Sequence, residues 1–290
     1  MVDALLIFIT ALWGLTFVTV QDALAQADTF SFLALRFGCG AAAAALLAGP
    51  KLRERKTLTS GLLLSVFMFV GFLLQTLGLE RTSASRSAFI TGLSVVLVPV
   101  VSWVLFRKRP RATSLVGIAF AAFGLYVLTG QAAAGSSGAL SGDLLTLGCA
   151  VSYAFHITLT ERLAPKEGTM ALVTVQLASV SLLSAACLPF THPHVAWTPS
   201  FIGAFLFCGV AASAGAIGVQ TWAQARISAV RAGLIFSLEP VFASAYSVYV
   251  GREVLGANAV VGGSLIILGI VVSEAGAAWL GRRGSRATVV

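Results

Sequence analysis

The chain is written in long apolar runs separated by short polar punctuation. Ten runs lie between charges and turn residues, at 4–22, 30–48, 59–79, 84–106, 113–130, 143–160, 169–190, 200–221, 228–250 and 257–280. A helix needs about 20 mostly apolar residues to cross the hydrocarbon core of a bilayer, and each run is close to that length. The runs are continuous rather than alternating, so they predict helices and not the strands of an outer-membrane barrel. Pro99 and Pro240 fall inside the fourth and ninth runs, where a missing N–H is expected to break the hydrogen-bond ladder and bend both helices. The N-terminus reads Met-Val-Asp with no basic stretch. The first run is therefore expected to stay as a helix rather than be cleaved as a signal.

Composition narrows the class. Of 290 residues, 58% are hydrophobic and 10% charged, against roughly 45–50% and about 25% in soluble domains. Too few charges are present to build a polar shell, which excludes a soluble enzyme, a disordered chain and a coiled coil. The net charge of +8 does not point to nucleic acid, because the basic residues sit in clusters between runs rather than on one exposed face. Fifteen of the 19 lysines and arginines fall on one side: Lys51 to Lys56, Arg107 to Arg111, Arg162 and Lys166, Arg226 and Arg231, and the tail. Three, Arg81, Arg86 and Arg252, fall on the other, and Arg36 lies within a run. The positive-inside rule then predicts a multi-pass membrane protein with both termini in the cytoplasm. Cys39, Cys149, Cys187 and Cys208 all lie inside apolar runs, so no disulfide and no metal site is expected.

The chain also repeats itself. At an offset of 140, Asp3 matches Asp143, Trp13 matches Tyr153 and Arg36 corresponds to Gln176; at 145, Gln75 matches Gln220, Arg81 matches Arg226, Arg86 matches Arg231 and Gly124 matches Gly269. The extra residues fall in the loop around 190–199, and a Gly/Ser-rich stretch, 131–142, joins the halves. Five runs in each half is an odd number, so the second half enters the membrane with opposite topology. The expected fold is an all-α membrane protein: residues 1–140 and 141–290 form two inverted five-helix repeats around a central cavity. The small residues Gly269, Ser273, Ala277 and Gly281 recur every four positions, and Gly117 with Ala121 offers a similar strip. They predict close packing of the tenth helix on the fifth.

Three segments carry a family likeness: Trp13-Gly14 followed by Phe17, the stretch from Thr82 through Phe89 leading to Pro99, and Ser237-Leu-Glu-Pro-Val-Phe242. They resemble the drug/metabolite transporter superfamily, in its ten-helix EamA-type branch and within it the YddG-like amino-acid exporters. The resemblance covers both halves. It implies a basket of helices around a cavity, alternating access, and secondary active export of amino acids (aromatic or other neutral ones) or related small metabolites.

Polar residues inside the runs are the informative positions, because a charge at a helix centre costs about 2.5–3.5 kcal/mol. Arg36, Gln75, His156, Gln176, Gln220 and Glu239 stand out. A solute with an amine and a carboxylate needs polar partners and apolar walls. The expected binding residues are Trp13, Phe17, Gln75, Tyr153, His156, Glu239 and Tyr246, with Phe155 and Tyr249 as further aromatic walls. Arg36 has the alternative of snorkelling to the headgroups. Glu239 has three alternatives: a pairing with Arg36 or His156, a coupling proton, or a bond to the backbone freed by Pro240. No catalytic triad, paired catalytic carboxylates, H-E-x-x-H or phosphate loop is present, so neither an enzyme nor ATP-driven transport is expected, and no cofactor. The expected partners are the small-molecule solute and the lipid bilayer, with a single chain as the unit. A multidrug or cation exporter of the same superfamily is the nearest alternative, although the first run carries no carboxylate at its centre. A membrane scaffold or channel is the alternative from another class.

The charge asymmetry makes a testable statement about topology. In a background lacking the four native cysteines, Lys56→Cys is expected to react with a membrane-impermeant thiol reagent only after the cells are permeabilised. Arg81→Cys is expected to react in intact cells. The reverse pattern would overturn the orientation.

Overall fold

The computed structural model describes residues 2–107, 112–129, 137–166, 168–227, 229–269 and 271–272. Apart from one isolated bridge between Ala27 and Val195, the regular structure among the described residues is helical. In chain order the helices are α1 (Val2–Leu24), α2 (Thr29–Ala45), α3 (Arg55–Leu79), α4 (Ala84–Phe106), α5 (Ala112–Thr129), α6 (Ser137–Leu163) and α7 (Thr169–Cys187). Then follow α8 (Pro199–Leu206), a π-helix (Phe207–Gly215), α9 (Ala216–Gln224), α10 (Ala229–Phe236), α11 (Glu239–Tyr249) and α12 (Ala257–Gly269). Six segments are long and apolar enough to cross a membrane, the composite Pro199–Gln224 among them; α2, α12 and the Leu115–Gly124 part of α5 are shorter apolar helices. With the broken segment α10–α11 they make a multi-span, all-helical membrane fold.

The structure corrects the run-by-run reading in four places. The ninth run is not one bent helix: it stops at Phe236, and Glu239 with Pro240 starts a new helix. Proline is at home in a first turn, where its missing N–H has no intrahelical partner to lose. Pro99, by contrast, lies inside an α4 that continues from Ala84 to Phe106. There the flanking packing on α6 and α11 holds the helix through the lost bond. In the eighth run the π-helix widens the coil, a feature that hydrophobicity does not encode. The sixth helix starts at Ser137, so the second half of the Gly/Ser-rich stretch is helical.

Capping follows ordinary chemistry. The Asp28 carboxylate accepts the amides of Phe30 and Ser31 at the start of α2 and the amide of His194 from the loop before α8. Burial pushes this carboxyl up, but hydrogen bonds from Ser31 and His194 outweigh it and hold the group below its ordinary value of 3.8. Ser83 and Thr198 cap α4 and α8 in the same way, Thr198 directly ahead of Pro199.

The largest helix contacts all join the first half of the chain to the second: α2 on α7 and on the π-helix, α3 on α6 and α7, α4 on α6, and α1 on α11. At one end of the bundle, the Arg86 guanidinium and the Thr82 hydroxyl of the first half both bind Asp143 of the second. Glycine sets the closest approaches. A methyl group on Gly124 of α5 would lie 2.7 Å from the Gly262 carbonyl and 2.8 Å from the Ile266 amide of α12. The fifth and last helices therefore meet closely at Gly124; Ser273, Ala277 and Gly281 lie outside the described residues.

The tightest such contact joins α2 to the π-helix. A methyl group on Gly209 would fall 2.2 Å from Cys39 Sγ and 2.3 Å from the Arg36 carbonyl oxygen. One of these neighbours is backbone and cannot turn aside. Gly209→Ala is expected to destabilise the protein by about 2 kcal/mol or more. Gly203→Ala, where nothing lies within 4 Å, is expected to be neutral in the same thermal-unfolding assay in detergent. Equal melting temperatures for the two variants would contradict the packing.

Candidate functional site

The first-half and second-half helices enclose a central cavity of ≈ 80 Å³. Its walls are aromatic and apolar: Trp13 from α1, Met68 and Phe72 from α3, Tyr153 from α6 and Phe236 from α10. The polar lining is sparse and comes from many elements, with Thr16, Arg36, Gln75, Thr91, Ser94, His156, Gln220 and Glu239.

The π-helix anchors two of these groups. The Trp13 indole N–H donates to the Ala212 carbonyl at 2.9 Å, and Arg36 Nε donates to Ser213 Oγ at 3.2 Å. Ser213 in turn donates to the Cys208 carbonyl five residues back. Arg36 is only 2% exposed, so it does not snorkel to the headgroups. Its guanidinium instead lies 5.1 Å from the Phe37 ring centre and 4.8 Å from that of Phe72, a cation–π cradle inside the bundle. No carboxylate is paired with it among the described residues.

Glu239 is the opposing charge. It opens α11, where the helix dipole favours an anion, and its carboxylate lines the same cavity as Arg36. Among the described residues the Glu239 side chain bonds neither Arg36 nor His156 nor the backbone near Pro240. The three pairings open in the sequence are therefore not made. The cavity thus holds one guanidinium and one carboxyl group, neither joined to a charged partner among the described residues.

The neutral polar groups bond mostly to one another. Tyr153 O–H donates to Gln75 Oε1 at 3.4 Å, and Gln75 Nε2 donates to Thr91 Oγ1 at 3.3 Å. Gln220 Nε2 donates to Gln224. His156 Nε2 lies 2.7 Å from Gln176 Oε1, and Gln176 sits behind it, fully buried.

Of the aromatic and polar residues singled out by sequence, Trp13, Arg36, Gln75, Tyr153, His156, Gln220 and Glu239 face this cavity. Phe17, 2% exposed, lies instead in a packed core with Phe32, Phe37 and Ala243. Tyr246 lines a separate cleft with Asp22, Gln26 and Phe207. Phe155 stacks on Phe67, and Tyr249 is 86% exposed. Sequence reading passed over Thr16, Met68, Phe72, Thr91, Ser94 and Phe236. All are of types common in any apolar helix, so only the direction each faces marks them.

The sequence profile of the EamA-like transporter family matches residues 1–130 and again 140–274. An uncharacterized transporter of Archaeoglobus fulgidus is 30% identical over 270 residues, covering 93% of this chain and 84% of that one. The uncharacterized transporter YvbV of Bacillus subtilis is 30% identical over 217 residues, 71% of this chain and 69% of its own. A solved crystal structure superposes with a TM-score of 0.71 at 20% identity, covering 93% of this chain and 96% of that chain; at that identity the likeness extends to the fold alone.

The π-helix anchor predicts a measurable cost. Trp13→Phe keeps the aromatic wall but leaves the Ala212 carbonyl without its indole donor. A loss of about 1 kcal/mol is expected, read as a fall in melting temperature of about 2–4 °C. An unchanged melting temperature would show that the bond contributes nothing.

Proposed function

This chain belongs to the EamA-like transporter family, and on that premise we propose that it is a secondary active transporter exporting neutral amino acids or closely related zwitterionic metabolites by alternating access. The observation that carries the reading is the pair of uncompensated charges facing one apolar cavity. Arg36 offers a planar guanidinium suited to a carboxylate, and Glu239 offers an anion for an amine. Aromatic walls between them suit a neutral side chain, aromatic or aliphatic, as in the YddG-like exporters the sequence resembles. Arg36 speaks against the alternative of a cation exporter, since a second positive charge would enter a cavity that already holds a guanidinium.

What supports two inverted repeats, 1–140 and 141–290, is that the contacts survive exchange of the halves. Helix α3 packs on α6 as α9 packs on α1, α4 packs on α6 as α11 packs on α1, and α2 and α7 pack on each other. Hydrogen bonds follow suit. Trp13 binds the Ala212 carbonyl, and Ser152, next to its counterpart Tyr153, binds the carbonyl of Phe67, the residue equivalent to Ala212 at the offset of 145. The basic clusters support cytoplasmic termini, and alternating access in this reading consists of the halves rocking about the cavity between them.

The experiment separates the two charges. In proteoliposomes, Glu239→Gln is expected to raise the half-saturating concentration of amino acids by roughly tenfold or more. The same variant should leave 2-hydroxy and 2-oxo acids, which lack the amine, close to the wild-type value. Arg36→Gln is expected to penalise amino acids but not the decarboxylated amines. No flux of any amino acid, or equal penalties for solutes with and without the amine, would contradict the assignment.

A further inference from the structure

His156 divides its two ring nitrogens between the protein and the cavity. Nε2 lies 2.7 Å from Gln176 Oε1. The orientation of that amide is fixed from its far end, because Gln176 Nε2 lies 3.2 Å from the Leu172 carbonyl. A carbonyl only accepts, so the amide nitrogen must face it and the amide oxygen must face the ring. An amide oxygen cannot donate, and the proton in the short contact therefore sits on His156 Nε2. No carboxylate is bonded to the ring among the described residues, and the neutral tautomer that fits this contact leaves Nδ1 as a bare lone pair.

That lone pair is neither bonded nor sealed. Nδ1 has no hydrogen-bond partner among the described residues, and it is absent from the polar atoms enclosed there without one. It opens on the cavity that His156 lines. No donor among the described residues bonds Nδ1, which stands as a fixed acceptor without a protein donor. Gln176, behind the ring and outside the cavity, is a positioning residue that holds the tautomer.

We propose that His156 Nδ1 is a specificity-determining acceptor, selecting solutes that carry a neutral hydrogen-bond donor (a hydroxyl, an indole N–H or an amide N–H) on the part of the molecule away from its charged ends. The choice of probe solutes rests on the amino-acid reading above, in which Arg36 and Glu239 take the carboxylate and the amine. The tautomer itself does not rest on it. A buried acceptor that must leave water to meet a solute without a donor discriminates by one neutral hydrogen bond, roughly tenfold.

The test has two arms. In the first, ¹⁵N spectra are taken of protein labelled at its three histidines, with the His156 signals identified by their loss in His156→Gln. The expected result is a protonated Nε2 and a bare Nδ1; a protonated Nδ1 or an imidazolium at neutral pH would overturn the proposal. In the second, proteoliposomes are offered pairs of equal shape, threonine against valine and tyrosine against phenylalanine. Wild-type protein is expected to favour the hydroxyl-bearing member roughly tenfold. His156→Asn puts an amide near the place of Nδ1 and should keep a preference. His156→Gln puts it near the place of Nε2, where it can still reach Gln176, and should bring the ratio to about one. A preference unchanged in His156→Gln, or none in wild type, would also overturn the proposal. If neither member of either pair is moved, the amino-acid reading fails, and the ¹⁵N spectrum still decides the tautomer.

Discussion

A backbone amide or a charged side chain inside a hydrocarbon core has no water to turn to, so its partner has to come from the protein. Two departures from α-helical backbone and two charges at cavity depth all have to satisfy that condition. The π-helix of 207–215 satisfies it by giving the Ala212 carbonyl to the Trp13 indole and the Cys208 carbonyl to Ser213. The break after Phe236 satisfies it by starting α11 at a proline, whose nitrogen has no hydrogen to strand. Each unsatisfied group would cost about 1–3 kcal/mol, so these pairings decide whether an irregular backbone survives here. The same pairings fix the wall of the cavity.

The charges follow a different rule. Arg36 is held by a serine hydroxyl and two aromatic faces, and Glu239 by its place in the first turn of α11. Among the described residues neither has a protein counter-ion. A direct Arg36–Glu239 pair would relieve both, yet it would close the cavity to a charged solute. Glycine makes the close framework around them affordable. Gly14 brings α1 against Phe242 and Ala243 of α11, and Gly71 brings α3 against the Tyr153 ring. In lipid, where apolar surface alone does not drive helices together, such contacts do the packing.

Much of this could be read in the chain. The fourth run, 84–106, coincides with α4, and the first, 4–22, lies within α1, because length and hydropathy are what a bilayer selects. Intramembrane polar residues pointed to Gln75, His156 and Glu239 for the same reason: a polar group at that depth needs a purpose or a partner. Phe17 shows where the signal ends. It lies one turn beyond Trp13 on α1, but its ring belongs to the core, while Thr16 beside it lines the cavity. The π-helix was illegible because hydropathy does not record which carbonyl an amide bonds; Pro240 did mark an interruption in the ninth run, but not that a new helix begins there. Arg36 was visible as a charge, but its aromatic cradle depends on Phe72, a residue from another helix.

A structure of the protein with a bound amino acid tests the central claim most directly. The account predicts the solute carboxylate within hydrogen-bond distance of the Arg36 guanidinium and the ammonium on the Glu239 carboxylate, with the side chain lying against Trp13, Phe72 and Phe236. A solute bound with both charged ends elsewhere, or Arg36 and Glu239 joined to each other in its presence, would contradict it.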